Sequence, residues 1–475
     1  MKKKGVTQFL LSHAKENPVS FHMPGHKGSW IYREHGYGDF LDNIMDCDIT
    51  EIPGADNLYQ AEDIIADTME KYRNLYGTRE SYLLINGSSA GLIAAILTCI
   101  PRGGKLIMAR NCHKSIFNGL VMAGASPVYL HPEMIDEYGI SGEISLDSVK
   151  KALEEHPDAS AVILPSPNYY GICSDIKAIA EAVHEAGMYL IVDQAHGAHL
   201  HFFGQHLGVA SMAADDLGAD IVIQSTHKTL ASYTQSALVN LCTDRVDKYL
   251  FEDKLQLIES TSPSYLLMAS LDINADLLET KGAELIKAWE ENLQWFYEAS
   301  AEVEGLRVMA HPMLDHTKVN LDMSAYGLDG LELEELLNEK AIYPELVTGN
   351  IVMCMTGIGN RRCDYERLLD ALKEIAEERG LCQKTDRHEN ISSNQSLTMK
   401  KMTQVDIPTA KESVPMKEAA GRVCASSIIP YPPGIPIICP GEIIDEEILA
   451  YCGDLRARGE KVMGIDDQGR VLVGK

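Results

Sequence analysis

Asp220-Ile221-Val222-Ile223-Gln224 runs directly into Ser225-Thr226-His227-Lys228-Thr229-Leu230. The first five residues form a short apolar run that predicts a buried strand of a parallel sheet. A lysine just past the carboxyl end of such a strand stands where open α/β sheets collect their ligands. Ser225, Thr226 and His227 place hydroxyls and an imidazole beside its amine. That grouping suits a Schiff-base lysine with an anionic group nearby. A lysine after a strand is ordinarily a solvated loop residue, so the reading turns on what the rest of the chain supplies.

Upstream, residues 81–85 predict a strand that leads through Asn86-Gly87-Ser88-Ser89-Ala90-Gly91 into a helix over 92–99. Strand, small-residue loop and helix start form either a phosphate cradle, with free N–H groups and the helix dipole facing the anion, or a plain βα turn. Residues 104–109, 126–130, 161–164, 189–192 and 236–241 predict further strands, with a helix over 176–186. The alternation predicts a mostly parallel sheet covered on both faces. His113, Asp193, His196 and Lys228 then all fall past strand carboxyl ends.

Before that sheet, residues 7–15 predict a short amphipathic helix. Phe21-His22-Met23-Pro24-Gly25-His26-Lys27-Gly28 follows as a loop of clustered ionisable groups, a functional loop or a surface turn. Asp46 to Leu58 is a carboxylate-rich loop that would either line a cationic pocket or cap a helix beginning near Ala61. After the sheet, a helical run over 266–302 leads to a smaller α+β domain with strands at 317–321 and 351–355 and a helix over 365–378. Residues 383–404 are polar and lack apolar periodicity, which reads as a linker. The turns Tyr431-Pro432-Pro433-Gly434-Ile435-Pro436 and Pro440-Gly441-Glu442, a helix over 444–456 and a strand over 471–473 make a last module. The division is therefore 1–60, an N-terminal arm with a substrate loop; 61–265, the cofactor domain; 266–382, the small domain; 383–404, the linker; and 405–475, a C-terminal module.

The bulk properties bound the partners. The chain has 475 residues and a formal net charge of -27. Such an acidic surface argues against nucleic acid and anionic membranes. It mildly favours a cationic substrate, but ordinary solubility accounts for it better. No run approaches the ~18 apolar residues of a membrane span. Residues 5–18 are interrupted by Gln8, His13, Lys15 and Glu16, so no apolar signal-peptide core is expected. The 11 cysteines form no C-x-x-C pair, which suggests neither a disulfide framework nor a zinc site, and a reducing cytoplasm fits best. No metal is expected.

Taken together, the strand-end groups are the parts of a pyridoxal phosphate site. A lysine carries the cofactor, and an aspartate keeps the pyridine nitrogen protonated so that the ring accepts electrons. An imidazole stacks on the ring, and a helix start holds the phosphate.

FHMPGHKG (21–28), NGSSAG (86–91), RNCHKS (110–115), DQAHGAH (193–199), STHKTL (225–230), TSPSYLLMASLD (261–272), PYPPGIP (430–436) and PGE (440–442) together resemble the bacterial Orn/Lys/Arg decarboxylases. The resemblance spans nearly the whole chain and matches the short form, without an N-terminal wing domain. It implies fold type I of the pyridoxal phosphate enzymes, a homodimer or larger homo-oligomer with sites at the interface, and a basic amino acid as substrate. Lys228 would be the cofactor-bearing lysine, Asp193 the partner of the ring nitrogen, and His113 the stacking group. His196 would contact the cofactor's face or ring oxygen. Ser88, Ser89, Ala90, Ser225 and His227 would surround the phosphate, and Ser264 would lie near the site or reach a neighbouring subunit's phosphate. Lys228 or His227 would return the proton to Cα.

For the substrate's cationic end the candidates are Asp48, Glu51, Asp56 and Glu345, with His26 beside them. Arginine is favoured; lysine and ornithine remain open. Gln194 departs from the glutamate common in the family, which removes a charge near the site. The competing readings are an aminotransferase or carbon–sulfur lyase of the same fold, for which Arg361 or Arg362 would clamp a carboxylate, and a non-catalytic cofactor-binding homologue.

Overall fold

The computed structural model describes residues 5–382, 402–403, 405–431, 436–457 and 461–475. At its centre is a seven-stranded sheet. Its spatial order is Glu80–Leu84, Ala237–Leu241, Ile221–Gln224, Tyr189–Asp193, Ala161–Pro165, Lys105–Ala109 and Ser126–Leu130. The last five strands in this order run parallel to one another. Ala237–Leu241 is antiparallel to both of its neighbours. Every residue of Ala161–Pro165 and Ile221–Gln224 is buried, as continuous apolar runs between two helical layers should be.

Several boundaries differ from the sequence reading. The helix after the first sheet strand is Ser88–Cys99, so Ser88, Ser89 and Ala90 form its first turn and are not a loop before it. Gly87 precedes it at φ 76°, and a Cβ on Gly91 would stand 2.4 Å from Val239 Cγ2. Glycine at 91 lets the helix settle on the sheet, which fixes where its N-terminus points.

Tyr265–Ser300 is a single helix of 36 residues, started by Ser264, whose Oγ accepts from Leu267 N. It buries Trp289 and joins the large sheet to a four-stranded antiparallel sheet ordered Arg307–Val308, Lys318–Asp322, Ile351–Met355, Leu346–Thr348. The segment read as an N-terminal arm is tied to this second unit: Val19–Phe21 pairs in parallel with Ile342–Pro344, burying Val19 and Phe21. The helix expected from 365 begins three residues earlier, as Arg362–Arg379.

The C-terminal residues have a core of their own, including Ile428, Ile438, Ile448, Leu455 and Val471. Lys411–Pro415 pairs antiparallel with Arg470–Gly474, and the helix is Glu446–Ala457. The expected linker, apart from 402–403, and the centre of the Tyr-Pro-Pro-Gly turn lie outside the described residues. Among the described residues no helix is long and apolar enough to cross a membrane.

Candidate active site

A cavity opens at the carboxyl ends of the central strands, lined by Ser88, His113, Pro165, Asn168, Tyr169, Asp193, His196 and Lys228 among others. The topology explains the convergence. Asp193 ends its strand, and Pro165 ends the next. Lys228 sits in the helical turn Thr226–Thr229 just past the third. His113 follows Lys105–Ala109 and caps the helix Lys114–Ala123, its ring nitrogen accepting from Ser115 N, so the cap fixes the imidazole's orientation.

Lys228 Nζ and His196 Nε2 are 2.9 Å apart. Burial pushes the lysine's pKa down, as does the Lys318 charge, against the pull of Asp193 and Glu345. The imidazoles follow the same logic. Burial holds His113 at about 3, helped by Lys228, and takes His196 well below its ordinary value. Asp193 is 6% exposed, and burial raises its pKa while Lys228 opposes this. One of its oxygens accepts from Ala195 N at 3.2 Å. The His196 and Tyr169 rings lie 5.0 Å apart at an interplanar angle of 60°.

The residues fit pyridoxal phosphate. Buried His196 Nδ1 and Ser225 Oγ have no hydrogen-bond partner among the described residues, the usual mark of a missing polar neighbour. The Ser88–Cys99 helix presents its N-terminus to the same cavity through Ser88, and unsatisfied N–H groups there suit a phosphate. Behind that loop Glu259 accepts from Asn86 N at 3.1 Å, and burial pushes its carboxyl up to about 7.

The other sequence candidates are placed differently. Ser225 and His227 share the Lys228 turn, and His227 Nδ1 is spent on Ser236 O at 2.7 Å, with burial holding the ring at about 4. Ser89 and Ala90 follow Ser88 in the helix, and Ser264 caps the long helix. Asp48 and Glu51 are exposed, and neither lines the cavity. Asp56 is committed to the backbone, accepting from the N–H groups of Asn57, Glu62, Asp63 and Ile65. Of the two readings of that acidic loop, this is the helix cap. His26 is packed between Tyr32 and Tyr233, and its Nδ1 accepts from Gly28 N.

Glu345 is different. It is half-buried, desolvation raises its pKa, and it feels the charges of Lys228 and Lys27. Its Oε2 accepts from Met23 N at 2.9 Å, inside the 21–28 loop. That loop lies hard against the lysine turn: Gly25 N donates to His227 O at 2.7 Å, and a Cβ on Gly25 would come within 2.4 Å of the Thr229 carbonyl carbon. Gln194, expected to alter the charge near the cavity, points elsewhere: its amide donates to Asp215 and its oxygen accepts from Ala214 N. The sequence reading passed over Asn168 and Tyr169, although both follow a strand end, and over Glu259 and Lys318.

A lysine, a buried aspartate, a capped imidazole and a helix start around one strand-end cavity define a pyridoxal phosphate enzyme of fold type I. The family model "Orn/Lys/Arg decarboxylase, major domain" matches residues 5–319, and "Orn/Lys/Arg decarboxylase, C-terminal domain" matches 383–468. The chain belongs to the Orn/Lys/Arg decarboxylase family and is a pyridoxal phosphate-dependent amino acid decarboxylase. It is 34% identical over 470 residues to the arginine decarboxylase of Bacillus subtilis, covering 96% of this chain and 94% of that protein. To the arginine decarboxylase of Halalkalibacterium halodurans it is 33% identical over 471 residues, with the same coverage. The Escherichia coli constitutive lysine decarboxylase shares the fold, with a TM-score of 0.77 at 22% identity over 99% of this chain and 81% of that one.

Proposed function

We propose that the basic amino acid decarboxylated is arginine, and that Lys228, Asp193, His113 and His196 are the groups that handle the cofactor. The observation carrying this reading is their convergence on one cavity, with the half-buried carboxylate of Glu345 within electrostatic reach of Lys228. When bound, the cofactor withdraws the electrons that the departing carboxylate leaves on Cα. Lys228 would carry the cofactor. Asp193, buried and with an oxygen to spare, would hold the ring nitrogen's proton and keep that nitrogen cationic. His113, held neutral, would stack on the ring without competing for charge. The first turn of Ser88–Cys99, with Ser225, would hold the phosphate.

Lys228 is also the better proton donor to Cα. His227 has its Nδ1 on Ser236 O and is held neutral, which makes it a positioning group for the turn. Glu345 receives the substrate's far cation, and a guanidinium fits a carboxylate fork better than an ammonium does. The two arginine decarboxylases similar over nearly the full chain support arginine.

The division into arm, large domain, small domain, linker and C-terminal module belongs to the same reading. So does a homodimer or larger homo-oligomer in the cytoplasm. The helix Val6–Lys15 buries no residue of its own and exposes Val6, Phe9 and Leu10 on one face, suited to a second copy, and all eleven cysteines are unpaired.

The test is product analysis of the cofactor-loaded enzyme with arginine, lysine and ornithine in turn. Arginine should release carbon dioxide and its amine with the highest kcat/KM. A 2-oxo acid without carbon dioxide, or preference for lysine or ornithine, refutes the assignment.

A further inference from the structure

Lys318 opens the first long strand of the small sheet and has no exposed surface. Its ammonium uses all three donors: on Asp315 Oδ2 at 2.7 Å, on Thr317 Oγ1 at 3.2 Å and on the backbone oxygen of His196 at 2.6 Å. Asp315 also takes His199 Nε2 at 3.1 Å and Thr317 Oγ1 at 2.7 Å. Burial would raise the Asp315 pKa; His199 and Lys318 outweigh it and hold the carboxyl well below its ordinary value. Both ends of the turn His196-Gly197-Ala198-His199 are therefore fastened to one short segment of the other sheet. The loop bearing Tyr169 rests on that segment too, since Asp315 N donates to Gly171 O at 2.8 Å.

A buried ion pair is weak evidence for stability, because desolvating two charges costs about what their attraction returns. An apolar pair would fill the space as well. What an apolar pair could not do is grip a carbonyl oxygen.

We infer that Lys318 is a positioning residue of the decarboxylase, holding the His196 turn so that the imidazole meets Lys228. It rests on the reading of His196 and Lys228 given above. A displacement of about 1 Å in a reacting group costs on the order of 100-fold in rate. The holding is mechanical, through the main chain, and the Lys318 charge adds to it by opposing a second cation at either His196 or Lys228.

The experiment compares Lys318→Met, and Lys318→Met with Asp315→Asn, with wild type. The paired variant removes the carboxylate that the single one leaves buried without its cation, so it decides the matter if the single variant does not fold. In protein retaining the visible absorption of bound cofactor, kcat should fall about 10- to 100-fold while KM changes less than about threefold. Hydrogen exchange of amides 196–199 in the full chain should quicken at least tenfold. Wild-type kcat in the paired variant, or unchanged exchange of the turn, overturns the inference. Failure of the Lys228 assignment would show separately, as visible absorption surviving in Lys228→Ala.

Discussion

Replacing Glu442 by glutamine tests how the C-terminal residues are joined to the cavity. Arg110 is 0% exposed and stands three residues before His113. Its guanidinium donates to Glu442 Oε1 through Nε at 2.7 Å and to Oε2 through Nη2 at 2.9 Å, a bidentate pair. It also donates to the carbonyls of Pro436 and Ile437. Glu442 Oε2 accepts in addition from Cys439 N at 2.7 Å. Glu442→Gln keeps the shape and deletes the charge, and its new NH2 must face an Arg110 donor in either orientation, and Cys439 N as well in one of them. Leaving one partner of a buried pair uncompensated costs about 3–5 kcal/mol. At about 1.4 kcal/mol per tenfold, that is two to three and a half powers of ten in the opening equilibrium. Hydrogen exchange of amides within 436–457 should quicken by that factor. The loss should spread to the segment after Arg110, and cofactor should be held less tightly through His113. The paired variant Arg110→Met with Glu442→Leu should restore most of the protection, since it leaves no unpaired charge. Exchange within about twofold of wild type in Glu442→Gln would refute the reasoning, because it would mean that water already reaches the pair.

Lys228→Ala should abolish the visible absorption of lysine-linked cofactor, read after dialysis of the purified protein. Asp193→Asn should keep cofactor absorbance and lose about 10- to 150-fold in kcat, the worth of a charge-assisted bond of about 1.5–3 kcal/mol. Glu345→Gln should lower kcat/KM for arginine about 30-fold, for a lost charged contact of about 2 kcal/mol, measured beside an uncharged substrate of similar length. Glu259 gives a pH signature. Its folded pKa of about 7 lies above the ordinary 4.5, so between those values the folded chain keeps a proton that the unfolded chain has released. Its contribution is fullest below pH ~4.5 and is lost as pH rises through ~7, by about 3 kcal/mol in all. Denaturant unfolding across that window should show Glu259→Gln lacking this part of the decline.

The strands were legible because each is a short, largely apolar run, and burial between two helical layers demands such runs. Their directions were not. Ala237–Leu241 is as apolar as its neighbours, and only pairing partners distant in sequence make it antiparallel. The Ser88–Cys99 helix was read four residues short because serine and glycine are weak helix formers, a local preference that packing of Gly91 on the sheet overrides. The cavity groups His113, Asp193, His196 and Lys228 were legible because position past a strand end is a sequence property. Lys318 was not, since a lysine beside a threonine in a strand reads as solvated, and its burial depends on a turn more than a hundred residues away. Asp56 shows the reverse: an acidic loop resembles a cation site until its carboxylate is found saturated with backbone N–H groups.

Position 194 holds a glutamine. By resemblance to the family a glutamate belongs beside the cofactor aspartate, and its loss reads as a change in the cavity's charge. The side chain, however, reaches a cluster away from the cavity lining. Asp215 there accepts amide protons from Gln194 at 2.8 Å, Gln224 at 2.7 Å and Asn240 at 2.7 Å. Gln224 and Asn240 lie in two adjacent strands of the sheet, and Gln194 directly follows a third. Burial already raises the Asp215 pKa, and the amides of Asn240 and Gln194 help to keep its charged form. A glutamate at 194 would replace one donor with a second acceptor and set two carboxylates against each other. Glutamine is the residue that a carboxylate at 215 requires. The charge of the cavity lining is then set by Asp193 and Lys228, with Glu345 in electrostatic reach of the lysine, and the departure at 194 is matched within its own cluster.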